Sequence, residues 1–164
     1  MRSQIKAIVY TSNTGFTARY AALLAQAAQL PCYELKHSRE LPSGTSVFYM
    51  GWLMAGQIKG LKKARKRFHL AGVCGVGMGS PDDNPPDELR QNNHLDEIPV
   101  FSLQGGYAPA QIKGVYRLMM SLAAKVMSKK AGQQGETMRK ALTDGIDFVS
   151  SQNLGDITGW MQKN

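Results

Sequence analysis

The sequence predicts an α/β domain: a five-stranded parallel sheet in the order 2-1-3-4-5, held between two layers of helices as a three-layer sandwich. Three observations carry that expectation. Short, nearly continuous apolar runs alternate with longer stretches of helical period, as strands covered on both faces by crossover helices do. Gly- and Pro-rich loops punctuate the alternation. The 164 residues, 43% of them hydrophobic, suffice for one core, with no internal repeat or low-complexity tract.

In chain order, Ile5 to Tyr10 reads as the first strand and Thr11 to Thr17 as a polar turn. Ala18 to Leu30 is rich in Ala and Leu. Its inward stripe is expected at Tyr20, Leu23, Leu24, Ala27 and Ala28, with Pro31 as the stop. Cys32 to Leu35 is a second strand and Val47 to Met50 a third, followed by a Gly-containing loop from Gly51 to Gly60. Leu61 to Phe68 is a basic helix and Leu70 to Val76 the fourth strand. From Gly77 to Pro86 the Gly and Pro spacing argues against regular structure. Asp87 to Leu95 is a short helix, and Val100 to Leu103 the fifth strand, broken by Gly105 and Gly106. Lys113 to Lys130 and Glu136 to Ser151 are the last two helices. The domain is therefore expected over residues 1–151. The tail, 152–164, docks through Leu154, Ile157, Trp160 and Met161 or frays.

No signal peptide or spanning segment is expected, and a cytoplasmic location follows from that reading. Cys32 and Cys74 lie in strand-like segments and read as buried, inert thiols, with a disulfide or redox pair left open. His37, His69 and His94 lack metal-ligand spacing, so no metal is expected. The net charge of +8 is uneven. Lys59, Lys62, Lys63, Arg65, Lys66 and Arg67 form one basic cluster, and a second lies between Lys113 and Lys140, whereas half of the acids fall between Asp82 and Glu97. Such asymmetry fits solvated helix faces, an acidic partner, an anionic membrane or nucleic acid.

The strongest chemical signal is Thr11-Ser12-Asn13-Thr14-Gly15-Phe16-Thr17, between a buried strand and a helix start. A helix N-terminus presents unpaired N–H groups and a partial positive charge. Hydroxyls at Ser12, Thr14 and Thr17 add donors, and Gly15 lets the backbone curl around an anion. The pattern suits a monophosphate held without Lys or Arg. A Walker loop requires Gly-Lys-Ser/Thr, which is missing. An ordinary capped helix uses one hydroxyl residue, not four in seven positions.

Over Ser12, Asn13, Thr14, Gly15, Phe16 and Thr17 the chain resembles the opening of flavodoxins, Ser/Thr-x-Thr-Gly-x-Thr. The resemblance implies a flavodoxin-like domain in which this loop receives the phosphate of FMN. In open α/β sheets ligands bind beyond the carboxyl ends of the strands, where the winding reverses; flavodoxin and its FMN exemplify the rule. The loop after the third strand is then expected to supply Gly51 and Gly56 for close backbone approach and Trp52, Leu53 and Met54 as an apolar wall. Gly77, Met78, Gly79 and Ser80 form the loop after the fourth strand. Many flavodoxins place an aromatic residue there; this chain has none, and Tyr107 is the substitute. Gly75-Val76-Gly77-Met78-Gly79 is not a dinucleotide fingerprint, because its spacing is wrong and Pro81, Pro85 and Pro86 follow instead of a helix.

Val115 to Met127 is apolar on all but a narrow stripe of Arg117, Ser121 and Lys125. It reads as a deeply buried helix or as a contact for a partner, a second subunit or a membrane surface. With Gly135-Glu136-Thr137-Met138-Arg139-Lys140, this half looks like the menaquinone-dependent protoporphyrinogen dehydrogenase branch of the flavodoxin-like proteins. That likeness implies a lipid-soluble acceptor without establishing a porphyrin substrate.

Two function classes follow. The first is an FMN electron carrier or small FMN oxidoreductase, in which the flavin carries the chemistry and a redox protein or quinone is the partner. No catalytic acid, base or nucleophile is expected. The second is a non-redox module that binds an acidic partner or nucleic acid through Lys59 to Arg67, although nothing in the chain marks sequence-specific RNA binding. Basic groups near the ring, if present, would raise the flavin potential above that of the acidic flavodoxins.

Overall fold

The computed structural model describes residues 4–112, 114–115, 117–119, 122 and 144–164. Five strands form the parallel sheet: β1 (Ala7–Thr11), β2 (Cys32–Glu34), β3 (Ser46–Met54), β5 (His69–Gly77) and β6 (Val100–Gln104). Their spatial order is β2-β1-β3-β5-β6, which is the 2-1-3-4-5 arrangement once the short β4 (Gln57–Ile58), antiparallel on the end of β3, is set aside.

Alternation along the strands divides the core. Ala7, Val9, Val47, Tyr49 and Val73 face one side, where α2 (Leu61–Arg67) contributes Leu61 and Ala64 and α3 (Pro86–Asn92) contributes Leu89. Ile8, Phe48, Met50, Cys74 and Val76 face the other, against α1 (Phe16–Ala28) and α4 (Gly155–Lys163). Both faces of the inner strands β1, β3 and β5 are covered over most of their length, which explains their apolar runs.

α1 starts two residues earlier than expected, and its buried stripe is Thr17, Tyr20, Ala21, Leu24 and Ala25, not one including Leu23, Ala27 and Ala28. Both stripes have helical period; the observed one is rotated toward the N-terminal turn so that Thr17 and Tyr20 reach the carboxyl end of the sheet. At the other end Leu154 and Ile157 are buried, and Trp160 packs with Phe48 and Phe101 at centroid distances of 6.0 and 5.6 Å.

The Gly51 to Gly60 loop is instead largely strand. β3 continues to Met54, Ala55 and Gly56 turn with φ of 50° and 75°, and β4 returns with Leu53 opposite Ile58. Two consecutive positive φ values are the primed two-residue turn that matches strand twist. Ala at the first position hid it, because Asn or Asp is the usual signal there. The Gly77 to Pro86 stretch contains one short 3-10 turn, Pro81–Asp83, capped by Ser80.

After β6, β7 (Gly106–Tyr107) pairs antiparallel with β8 (Ile146–Asp147). Ile146 and Asp147 are therefore extended, where the last predicted helix was expected to run on to Ser151. Of the Lys113 to Lys130 helix, residues 115, 117–119 and 122 have helical backbone. The rest, and the Gly135 to Lys140 segment, lie outside the described residues. Among the described residues no helix is long and apolar enough to cross a membrane.

Candidate functional site

β1 delivers the chain to the front of α1 through Ser12, Asn13, Thr14 and Gly15. Gly15 caps the helix at φ +100°, a conformation costly for any residue with a Cβ. Its N–H donates to Ser12 Oγ at 3.2 Å, which folds the loop back on itself. Arg19 N–H makes the first bond into the helix, to the Gly15 carbonyl at 3.0 Å. The amides of Phe16, Thr17 and Ala18 thus belong to the open first turn, which holds no acidic residue.

A cavity of about 450 Å³ opens in front of this turn, beyond the carboxyl ends of β1, β3, β5 and β6. That volume lies within the roughly 300–1,000 Å³ of small-molecule sites. Ser12, Asn13, Thr14, Phe16 and Thr17 line one end. Trp52, Leu53 and Met54 form one wall, and Val76, Gly77, Met78 and Gly79 form the floor beside it. No charged side chain lines the cavity among the described residues.

Three predicted site residues are not in this lining: Gly15, Gly51 and Ser80. Gly15 shapes the loop from behind. Gly51 is buried beneath the hairpin, where an added Cβ would lie 2.5 Å from the Lys59 carbonyl oxygen and 2.6 Å from Ile58 Cγ2; its small size serves chain packing. Ser80 turns its hydroxyl to the Asp82 N–H at 3.3 Å, while Asp83 Oδ2 accepts the Ser80 N–H at 3.0 Å. Asn84, Ala55, Gly105, Gly106, Ile112 and Met119 also line the cavity and were not predicted. Gly56 and Tyr107, foreseen from their loops, are there. The Gly105-Gly106 break was the available signal for its neighbours, since loops at the carboxyl edge of such sheets build the ligand crevice.

The walls are braced from behind. The buried Asn93 donates from Nδ2 to the Gly56 carbonyl at 3.0 Å and to the Leu89 carbonyl at 2.8 Å, and accepts the Ile58 N–H at 2.9 Å. Gln57 Nε2 donates to the Asn92 carbonyl at 3.0 Å. Lys59 Nζ lies 5.8 Å from the centre of the Trp52 ring. The Tyr49 hydroxyl donates to the Lys59 carbonyl at 2.6 Å and lies 2.7 Å from Thr11 Oγ1, so the end of β1 and the start of α2 are tied together. Burial pushes its pKa up.

On the opposite side the Tyr20 hydroxyl donates to the Gln104 carbonyl at 2.7 Å and accepts from Asn153 Nδ2 at 2.9 Å. Burial raises its pKa as well, more than the Asn153 contact lowers it. Phe148 N–H donates to the Gly105 carbonyl at 2.8 Å, and Arg19 pairs with Asp147 at 2.7 Å. Cys32 and Cys74 are free thiols; burial pushes Cys32 up to about 11 and Cys74 still further in the same direction. No cluster of metal-ligating side chains occurs among the described residues.

No family model matches the chain, and no curated protein matches it. Among solved structures, it is similar to the C-terminal domain of glucosamine-fructose-6-phosphate aminotransferase from Francisella tularensis, with a TM-score of 0.33 and 14% identity over 99% of this chain. It spans 42% of the length of that chain. The architecture itself is a parallel α/β sheet of the Rossmann-like, flavodoxin-like type, with helices packed on both faces.

Proposed function

We propose that the chain binds FMN in this cavity and acts as an electron-transfer protein or small oxidoreductase. One observation carries the reading. A single cavity joins the open first turn of α1, with the hydroxyl residues Ser12, Thr14 and Thr17, to apolar walls at the gap between β1 and β3 where the sheet reverses its winding.

The donor set fits a phosphate monoester: neutral hydroxyls and main-chain amides at a helix front, with no carboxylate lining the cavity among the described residues to repel it. FMN, when bound, supplies one- and two-electron transfer. Trp52, Leu53, Met54, Met78 and Tyr107 exclude water from a flat aromatic guest. Among the described residues the cavity lining holds no carboxylate and no histidine.

A second reading, a quinone-linked enzyme resembling protoporphyrinogen dehydrogenases, is favoured by the cavity rim. Met119 lines the cavity, and its neighbours Val115, Leu118 and Leu122 are exposed, Val115 at 70%. An apolar acceptor would find such a rim compatible.

Fluorescence titration of the purified chain with FMN and with riboflavin tests the primary reading. FMN should be quenched on binding, and riboflavin should bind roughly 10-fold or more weaker because it lacks the charge-assisted contacts. Thr14→Glu should remove the difference by setting a carboxylate against the ester. Equal affinities in the parent chain, or no quenching, would overturn the assignment.

A further inference from the structure

We propose that the outer face of α2, bearing Lys62, Lys63 and Lys66, docks an acidic electron-transfer protein beside the cavity. The proposal rests on the flavin reading above and names the partner for that site.

α2 turns Leu61 and Ala64 inward and exposes Lys62, Lys63, Arg65 and Lys66. Two of the basic residues have structural partners. Arg67 donates to the Ser38 carbonyl and, at 3.0 Å, to the Leu41 carbonyl, fixing the chain before β3; Arg65 donates to the Asn93 carbonyl at 3.3 Å. The three lysines form no ion pair among the described residues. Their placement works against the helix. Lys62 and Lys63 stand in a first turn that lacks any acid, where the helix dipole disfavours cations. Lys62 and Lys66 are four residues apart and repel, as do Lys63 and Arg67. A face that weakens its own helix and has no ion-pair partner among the described residues is relieved by added negative charge.

Its position links it to the cavity. α2 begins at Gly60, directly after Lys59, whose ammonium lies over the Trp52 ring at 5.8 Å, and Trp52 lines the cavity. The lysine face therefore begins four residues after the end of the hairpin that walls the candidate flavin site, at Lys62 after Ile58. The chemistry selects a protein. A helix of 7 residues is roughly 10 Å long, too short to track the several phosphates that support nucleic-acid binding. The exposed face carries no large apolar residue to enter a membrane interface. Compact acidic electron carriers offer complementary charge that steers encounter.

The test uses the whole chain with an acidic plant-type iron–sulfur ferredoxin as the probe. Calorimetry at low ionic strength should detect binding by the parent chain. K62E/K63E/K66E should weaken it roughly 10-fold or more and flatten its salt dependence. The neutral variant K62Q/K63Q/K66Q, expected to melt no lower than the parent, should weaken it to an intermediate degree. FMN uptake, measured separately, should be unchanged in both variants. Binding without FMN uptake would sink the flavin reading and leave the docking face standing. The docking proposal is overturned by absence of binding in the parent chain or by binding unaffected in the variants. It is equally overturned if phosphatidylserine vesicles or single-stranded RNA bind more tightly than the ferredoxin through the same lysines.

Discussion

Asn93 accepts the backbone N–H of Ile58 at 2.9 Å, so the return strand of the Trp52 hairpin is pinned to the end of α3 by one buried side chain. The same amide donates to the Gly56 carbonyl and to the Leu89 carbonyl, which leaves none of its polar atoms idle. Asn93→Leu strands the Ile58 N–H and both carbonyl oxygens in a buried setting. It should destabilise the chain by about 1–3 kcal/mol, read by urea unfolding. The FMN dissociation constant should rise too, because the Trp52 wall loses its brace. Unchanged stability would show that the hairpin holds its shape without α3.

The loop ahead of α1 makes a second, separable prediction. Gly15→Ala forces a Cβ onto a residue at φ +100° and should cost about 1–2 kcal/mol, although the added methyl would meet Gln111 Oε1 only at 3.9 Å. Ser12→Ala removes the acceptor of the Gly15 N–H and should cost about 0.5–1.5 kcal/mol. Both should weaken FMN more than riboflavin if, as proposed, the loop receives the phosphate and not the ring. Equal weakening of the two ligands in a fluorescence titration would refute that division.

Much of this arrangement was legible in the chain. Buried parallel strands announce themselves through uninterrupted apolar runs, and the Thr/Ser-rich turn before α1 has few structural uses. What escaped was local geometry with weak sequence signals. The Ala55-Gly56 turn carries a positive φ on alanine, so β4 looked like loop. The inward face of α1 was misjudged because its Ala and Leu positions support more than one stripe; Tyr20 and Leu24 belong to both, and the buried positions Thr17, Ala21 and Ala25 mark the observed one. β7 and β8 pair residues 39 and 41 positions apart in the chain (Tyr107 with Ile146, Gly106 with Asp147) and are two residues each, below the length at which a periodic pattern is visible. Gly51 was read as an opening for a ligand, whereas its neighbours are Lys59, Ile58 and Tyr49 of its own hairpin.

The two cysteines should behave as core residues toward thiol reagents. Burial raises Cys32 to about 11, so roughly one such thiol in a thousand is ionised at pH 8. Cys74 is fully buried and still less reactive. A disulfide-exchange reagent at pH 8 should therefore label Cys32 slowly and Cys74 only on unfolding, with two thiols released in denaturant. Fast labelling of either in the folded chain would contradict the packing around β2 and β5.

Arg19 and Asp147 join α1 to β8 across an exposed contact of 2.7 Å, and the hydrogen bond from Arg19 holds the Asp147 carboxyl below the ordinary aspartate range. A depressed folded pKa means that the contact stabilises the fold above the unfolded value of about 3.9, and that this contribution fades as pH falls through the lower folded value. Both side chains are about half exposed, so solvent limits the effect to roughly 0–1 kcal/mol. The informative readout is the titration itself. Carboxyl NMR should find Asp147 below its ordinary value in the parent chain, and Arg19→Gln should move it upward. The return should be incomplete, because the Val149 N–H still donates to Asp147 Oδ1 at 3.0 Å. Below that pH the β7–β8 pair should exchange its amides faster, loosening Tyr107 at the cavity wall. An Asp147 that titrates at the ordinary value in both proteins would mean that the ion pair does not hold in solution.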